Sequence, residues 1–413
     1  MKDIVKKIMI FFYRILNVIL PKSRKTTVFS TSNGKGAGGN PRAIFEYAAG
    51  SRTGGKYRFV WFLTEEFMRK HPEEAEKLKY TSANTGKRTA RCKVVKYGHP
   101  AYYWYMARAG IWVFDSRQEP YITKRPGVKY LQTWHGTPLK KLGLDIDAMN
   151  MAGESKDIEA YRDAFRKEAA QWDYLISQNK FSSETFRRCF AFEGTMLETG
   201  YPRNDVLVRA ATRNGKNTGD RITLLYAPTW RDDRYIGGGW YAYSSPLDLN
   251  RLHDLIGDRF RIMIKPHYLV RIRKGDIPKE LIKSGFVTVC GYSDEINGLY
   301  LKADAMITDY SSTMFDYSLL GRPMIFYAYD IEEYAEQLRG FYFDFEAEAP
   351  GPVCRSTEEL AQAVKEAFPA GIRGSLPAHE RNEKYADRIA RFTEKYNTFD
   401  DGNAARKVWE AIT

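Results

Sequence analysis

From residue 26 onward the chain alternates short apolar runs with helical or loop segments. "TTVFSTS", "YRFVWFL", "GIWVFDS", "KYLQTW" and "YLISQN" read as strands. After the first of them, "NPRAIFEYAAG" predicts a helix with Asn40 as its N-cap and Pro41 in its first turn. A polar, glycine-bearing stretch at residues 211–221, "ATRNGKNTGDR", reads as a linker. A second series then begins with "ITLLYAPTW", "RFRIMIKPH", "FVTVC", "ADAMITDYSS" and "PMIFYAYD". Strand–helix alternation on both sides of the linker predicts an α/β fold of two similar, doubly wound domains. Their ligands are expected in a cleft beyond the carboxyl ends of the two parallel sheets.

The first 25 residues, "MKDIVKKIMIFFYRILNVILPKSRK", follow a different pattern. Ile4, Ile8, Phe11, Phe12, Ile15, Val18 and Ile19 recur at helical spacing, and Pro21 ends the predicted helix. The apolar run from Ile8 to Leu20 is interrupted by Arg14 and Asn17 and is too short to span a bilayer. No small-residue cleavage site follows it. Lys2, Lys6, Lys7, Arg14, Lys22, Arg24 and Lys25 oppose Asp3 alone, which fits a helix lying in the interface of an anionic leaflet. A first helix packed on the body of the protein is the other reading.

Length and charge narrow the function classes. With 413 residues and 43% hydrophobic content, the chain exceeds one ordinary core and supports two. Sixty-four Lys and Arg against 51 Asp and Glu leave a net charge of +13, which favours nucleic acid, a membrane surface or a phosphorylated substrate as partner. Cys92, Cys189, Cys290 and Cys354 form no C-x-x-C pair, so neither a disulfide framework nor a zinc site is suggested, and the compartment reads as a reducing cytoplasm. Gly34, Gly36 and Gly39 in "NGKGAGGN" have dinucleotide-loop spacing, but Glu65 and Glu66 come later than the acid such a fold requires. Gly34-Lys35 leads to Gly36 rather than Ser or Thr, so the loop is not a P-loop. It reads instead as a turn that lets a ligand approach the backbone.

Four segments end strands in polar residues: "TWHGTPLKK", "YAPTWRDD", "IKPHY" and "ITDYSS". In the last, Asp309-Tyr310-Ser311-Ser312-Thr313 precedes a helix running "MFDYSLLG", so unpaired N–H groups and hydroxyls make an anion site there. Ser311 or Ser312 equally suits a simple N-cap. Lys265 and Arg231 supply countercharge or lie on a solvated face. His135 is either a catalytic group or a strand-end hydrogen-bonding residue.

Together, "QTWHGTPLKKLG", "TGYPRND", "YAPTWRDD", "IKPHY", "TDYSSTMFDYSLLGRPMIFY" and "FDDGNAARKV" resemble the CDP-glycerol glycerophosphotransferases of teichoic acid synthesis. The match runs in order from about residue 130 to the C-terminus. The resemblance implies two Rossmann-like domains of glycosyltransferase-B type, 26–210 for the acceptor and 211–396 for the nucleotide; the independently read interfacial helix at 1–25 precedes them, and 397–413 is expected as a C-terminal helix packing back on the N-terminal domain. It implies a CDP-glycerol or CDP-ribitol donor, a lipid-linked saccharide or poly(alditol phosphate) acceptor, and no metal, cofactor or nucleic acid. His135 would be the general base and His267 would stabilise the pyrophosphate or departing CMP. Substrate contacts would come from Gly136, Thr137, Lys140, Arg203, Thr229, Arg231, Lys265, Asp309, Tyr310, Ser311, Ser312 and Asp316, with Asp309 an orienting acceptor. The expected location is peripheral, on the cytoplasmic face of the membrane. A nucleotide-sugar glycosyltransferase of the same fold, or a basic membrane-associated binding protein without turnover, are the alternatives.

Overall fold

The apolar runs become two parallel sheets in the computed structural model. It describes residues 2–79, 92–146, 157–212, 221–229, 235–237, 240–243, 246–267, 270–273, 275–291, 294–332, 340–369 and 383–413. The chain divides into two units. Unit 1 comprises Met1–His135, Glu159–Asp205 and Phe399–Thr413; unit 2 comprises Gly136–Ile158 and Val206–Thr398.

Unit 1 carries strands β1 (Ser23–Ser30), β2 (Arg58–Leu63), β3 (Cys92–Lys96), β4 (Ala109–Phe114), β5 (Lys129–Gln132), β6 (Tyr174–Ser177) and β7 (Thr195–Glu198). They lie in the order β3-β2-β1-β4-β5-β6-β7, every pair parallel. Burial on both faces explains why the inner strands β2 and β4 are continuous apolar runs, whereas the edge strands β3 and β7 stay largely open and carry polar residues. One face packs Phe29 against Trp61, Phe45 and Phe59, and Trp409 from the helix Ala404–Ile412 closes on Tyr57 and Phe59.

Unit 2 carries β8 (Ile222–Ala227), β9 (Tyr235–Gly237), β10 (Trp240–Ala242), β11 (Phe260–Ile264), β12 (Val270–Arg271), β13 (Val287–Val289), β14 (Ala305–Thr308), β15 (Met324–Tyr327) and β16 (Val353–Cys354). Six of them form a parallel sheet ordered β13-β11-β8-β14-β15-β16. The other three make a small sheet, β12-β10-β9, too short to register as apolar runs in the sequence.

Several local expectations change in three dimensions. Asn40 does not cap its helix: Gly38 stands at the N-cap and the helix spans Gly39–Gly50. Asn40 is instead buried, with its amide committed to distant backbone, as described below. Gly34 has φ +82°, and a Cβ there would lie 3.1 Å from Phe62 O and Thr64 N. The approach that requires this glycine is therefore to the end of β2, where Thr64 N donates to Gly34 O at 2.8 Å. Residues 136–158, which follow β5 in sequence, group with unit 2. Lys141 N donates to Gly340 O, Tyr342 N to Leu139 O, and the Tyr342 hydroxyl to Asp145 Oδ2, tying this segment to residues 340–342. Strand β1 begins at Ser23, inside the stretch assigned to the first helix region. The linker core at 213–220 lies outside the described residues.

The helix Lys2–Ile19 has two unlike faces. Tyr13 is fully buried against Tyr103, and its hydroxyl and Asn17 Nδ2 both donate to Thr123 O, at 2.9 and 3.2 Å. Ile8, Phe11, Phe12, Ile15, Val18 and Ile19 remain exposed. Among the described residues no helix is long and apolar enough to cross a membrane.

Candidate functional site

In each sheet the strand order reverses once, between β1 and β4 and between β8 and β14, and Ser32 meets Asp115 at the first switch point and Thr229 meets Asp309 at the second. In unit 1 the loop after β1 turns through Ser32 and Asn33, both with positive φ, 49° and 52°. The turn is held by Asp115 at the end of β4, whose Oδ1 accepts from Ser32 N at 2.8 Å and from Ser116 Oγ at 2.7 Å. Burial raises the Asp115 carboxyl to about 6, against the opposing pull of these hydrogen bonds and of Arg203.

Beyond β5, Trp134 adopts φ 48°, a strained conformation for a bulky residue. Its surroundings enforce it. Trp134 N donates to Gln132 Oε1 at 2.9 Å, and its carbonyl accepts from Thr133 Oγ1 and Asn40 Nδ2. The indole packs on Phe190 and stacks on the His135 ring, with centroids 4.6 and 4.5 Å away. The kink delivers His135 Nδ1 to 3.4 Å from Asp115 O. A carbonyl only accepts, so Nδ1 carries the proton and Nε2 keeps its lone pair.

The His135 pKa is lowered to about 4, chiefly by desolvation and further by Arg203, while the Asp115 carbonyl opposes the shift. The residue still exposes surface to solvent, and water on that side lessens the penalty. In either case the ring is neutral at pH 7. Arg203 is positioned from the turn Pro202–Asn204: its Nη1 donates to His135 O at 2.9 Å and its backbone N to Asn40 Oδ1 at 3.2 Å. Its guanidinium lies over Tyr201. Asn40 thus joins three segments, a role its sequence position does not announce.

In unit 2, Asp309 is buried at the end of β14 and accepts from Thr229 N at 3.0 and 3.1 Å and from Thr229 Oγ1 at 2.9 Å. This bracket locks the loops after β8 and β14 together, with Thr308 Oγ1 adding a bond to Ala227 O. Next to it, Ser311 Oγ accepts from Thr313 N at 3.3 Å, whereas Ser312, at the N-cap position, makes no side-chain cap. The helix that follows spans only Thr313–Ser318. Tyr310 is fully buried, packs on Phe341 and Phe345, and donates to Asp330 Oδ1; Asp316 is buried as well. Tyr310 and Asp316 therefore sit beneath the surface, and the half-buried polar residues of this segment are Ser311, Ser312 and Thr313.

The cations of unit 2 converge elsewhere. Lys265 follows β11 and donates to Gly291 O at 2.7 Å, its pKa lowered by desolvation against the pull of Asp294. His267, two residues on, has its pKa lowered to about 3 by desolvation first and then by Lys140 and Lys265. Lys140 and Lys265 are thus the two charges that act on the imidazole. Lys140 is held by its bridge to Phe341, and Thr137 is buried three residues earlier. Arg231 lies outside the described residues. Among the described residues no three His, Cys, Asp or Glu side chains are grouped to hold a metal.

Two ordered strand-end clusters, one built around a neutral histidine and one around paired lysines, suit a reaction on an anionic substrate. Residues 12–413 match the model of the family described as CDP-Glycerol:Poly(glycerophosphate) glycerophosphotransferase. The chain belongs to this family. It is 39% identical over 404 residues to a teichoic acid poly(glycerol phosphate) polymerase of Bacillus subtilis, covering 95% of this chain and 49% of that one. It is 35% identical over 420 residues to the polymerase of the same description from Bacillus spizizenii, covering 100% of this chain and 97% of that one. The chain thus spans about half the length of the first relative and nearly all of the second. Its fold is similar to that of the wall teichoic acid polymerase TagF, with TM-score 0.80 and 30% identity over 100% of this chain and 94% of that one. One of the solved TagF structures comes from a CDPG soak.

Sequence motifs singled out His135, Arg203, Lys265 and His267 as candidates, but not Asp115, Asn40 or Gln132. "GIWVFDS" does end in an acid, the one signal available for Asp115; nothing in a linear pattern relates it to His135, 20 residues away.

Proposed function

We propose that the chain transfers glycerol phosphate from CDP-glycerol to a hydroxyl of a teichoic acid acceptor and releases CMP. The observation that carries this reading, beside the family, is the neutral His135 with Nδ1–H committed to a carbonyl and Nε2 left as a base. Nε2 takes the proton of the acceptor hydroxyl, and the oxygen attacks the donor phosphorus that bears glycerol. The bond from that phosphorus to the bridging oxygen breaks, and CMP leaves. Lys140 and Lys265 offset the pyrophosphate charge, and His267, neutral in the free protein, takes a proton from solvent as the anion binds and shares it with the leaving CMP oxygen. Asp309 orders the loop at Thr229, and Ser311 and Ser312 offer hydroxyls to the donor. The two units act as the Rossmann-like halves of a glycosyltransferase-B fold, each offering the carboxyl ends of its parallel strands to ligand.

The acceptor is lipid-linked or a growing poly(glycerol phosphate) chain, and the protein works at the cytoplasmic membrane surface. The exposed apolar face of the helix Lys2–Ile19 supports that location. The reading is tested by supplying CDP-glycerol or CDP-ribitol with a lipid-linked disaccharide and following CMP. Release from CDP-glycerol that depends on acceptor is the expected result. Turnover of a nucleotide sugar with release of a nucleoside diphosphate would establish the glycosyltransferase alternative instead.

A further inference from the structure

We propose that unit 1 carries a phosphate-binding site for a membrane-lipid headgroup, in an open cavity at the amino ends of strands β5 and β6. The cavity measures about 450 Å³ and is lined by the segment Lys124–Lys129 together with Asp173 and Tyr174. It lies at the end of the sheet opposite His135.

Its charges are oriented without being neutralised. Lys22 donates to Pro126 O, Lys129 Nζ to Ile412 O at 2.9 Å, and Arg125 Nη1 to Leu20 O and Ala107 O at 2.7 and 3.0 Å. All four acceptors are neutral carbonyls, which fix the side chains but leave their charge intact. Among the described residues, of these four cations only Lys124 meets a carboxylate, Asp173, at 2.5 Å, and that carboxylate also accepts from Tyr130 N. Three cations and one acid thus line the cavity, and Lys22 reaches its wall at Pro126. Such a group repels itself, and an anion relieves that repulsion. Each ammonium has three donors and each guanidinium five, so donors remain beyond the tethers, and a phosphate's oxygens match them.

The source of the phosphate follows from what the same segment holds. Thr123 O accepts from Tyr13 and Asn17, and Arg125 grips Leu20, so the loop that lines the cavity also anchors the docked face of the first helix. That helix turns Phe11, Phe12, Val18 and Ile19 outward. When those side chains enter the acyl boundary, the cavity is held near the headgroup layer by the same few residues. The proposal rests on the membrane reading of the helix.

The test uses the full chain and phosphatidylcholine vesicles with and without phosphatidylglycerol. Lys22→Gln with Lys129→Gln should weaken binding to the anionic vesicles about thirty-fold, the effect of two cations near such a surface. Lys70→Gln with Lys77→Gln removes the same charge from helices elsewhere in unit 1 and should change binding less than about three-fold. Equal weakening by both pairs would reduce the cluster to diffuse charge and overturn the site. Circular dichroism confirms folding of each variant. A second arm measures short-chain phosphatidylglycerol, below its micelle concentration, by calorimetry against inorganic phosphate. Tighter binding of the lipid, lost in the first pair, supports a headgroup site; equal binding of inorganic phosphate overturns the lipid source. Vesicle binding untouched by the first pair sinks the cavity and keeps the membrane reading. Absence of vesicle binding in the unmodified chain, with the short-chain lipid still bound, sinks the membrane reading and keeps the cavity.

Discussion

Replacing His135 by Asn separates the two things this residue does. Asparagine keeps a side-chain N–H for the Asp115 carbonyl, the contact that Nδ1 makes at 3.4 Å, but it has no basic nitrogen in place of Nε2. General-base catalysis contributes about 10²-fold or more, so kcat should fall at least a hundred-fold, a barrier increase of about 2.7 kcal/mol. The pH profile gives an independent reading. Desolvation, lessened by water on the open side, and Arg203 lower the imidazole below the ordinary histidine value, so the free protein keeps its base neutral across the physiological range. The acid limb of kcat/KM should then lie well below the ordinary histidine value, with activity lost as pH falls through that lowered pKa. A bound donor adds phosphate charge that favours the imidazolium, so the limb of kcat should lie higher than that of kcat/KM. The assay is CMP release from CDP-glycerol at saturating acceptor across the acidic and neutral range, with donor affinity measured by calorimetry. The variant should lose the acid limb and bind donor nearly as before. A variant that keeps more than about a tenth of kcat, or retains the wild-type acid limb, refutes the base assignment.

Three further outcomes follow from the same geometry. Asp115→Ala strands Ser32 N and should cost about 1–3 kcal/mol in urea unfolding, while Asp115→Asn keeps the acceptor. Because burial raises this carboxyl to about 6, above its unfolded value, the stability it contributes is full below the unfolded pKa and lost as pH rises through about 6. Wild type should therefore gain on the Asn variant as pH is lowered through that window, and a pH-independent difference would count against the burial. Lys140→Ala should raise the His267 pKa, followed by imidazole NMR, because that ammonium is one cause of its depression; combined with Lys265→Ala it should weaken CDP-glycerol binding by about tenfold or more, and unchanged affinity would remove these lysines from the donor site. Phe11→Ser with Val18→Ser should weaken vesicle binding without lowering Tm, since both side chains are already exposed; deletion of residues 1–25 is a poorer probe, because it removes the docked Tyr13 and the first residues of β1.

By itself the sequence determined most of the buried strands and the chemistry at their ends. Buried parallel strands must be continuous apolar runs, so "YRFVWFL" and "ITLLYA" could be located one by one, and the polar residues closing them marked His135, Thr229, Lys265 and Asp309. Cys92–Lys96 and Thr195–Glu198 escaped because polar residues break their short runs, and Val353–Cys354 because two residues carry no period. Only the tertiary structure decided how those ends are used. Strand order put Ser32 beside Asp115 and Thr229 beside Asp309, contacts spanning 83 and 80 residues that no local pattern encodes. It turned Asn40 from a cap into a buried link between the Trp134 carbonyl and Arg203 N, and it set residues 136–158 into unit 2 through hydrogen bonds to residues 340–342. It also divided the first helix into a face fixed by Tyr13 and a face left apolar and open. A hydrophobic pattern states that a side chain prefers to leave water; which surface receives it depends on what the rest of the chain brings there.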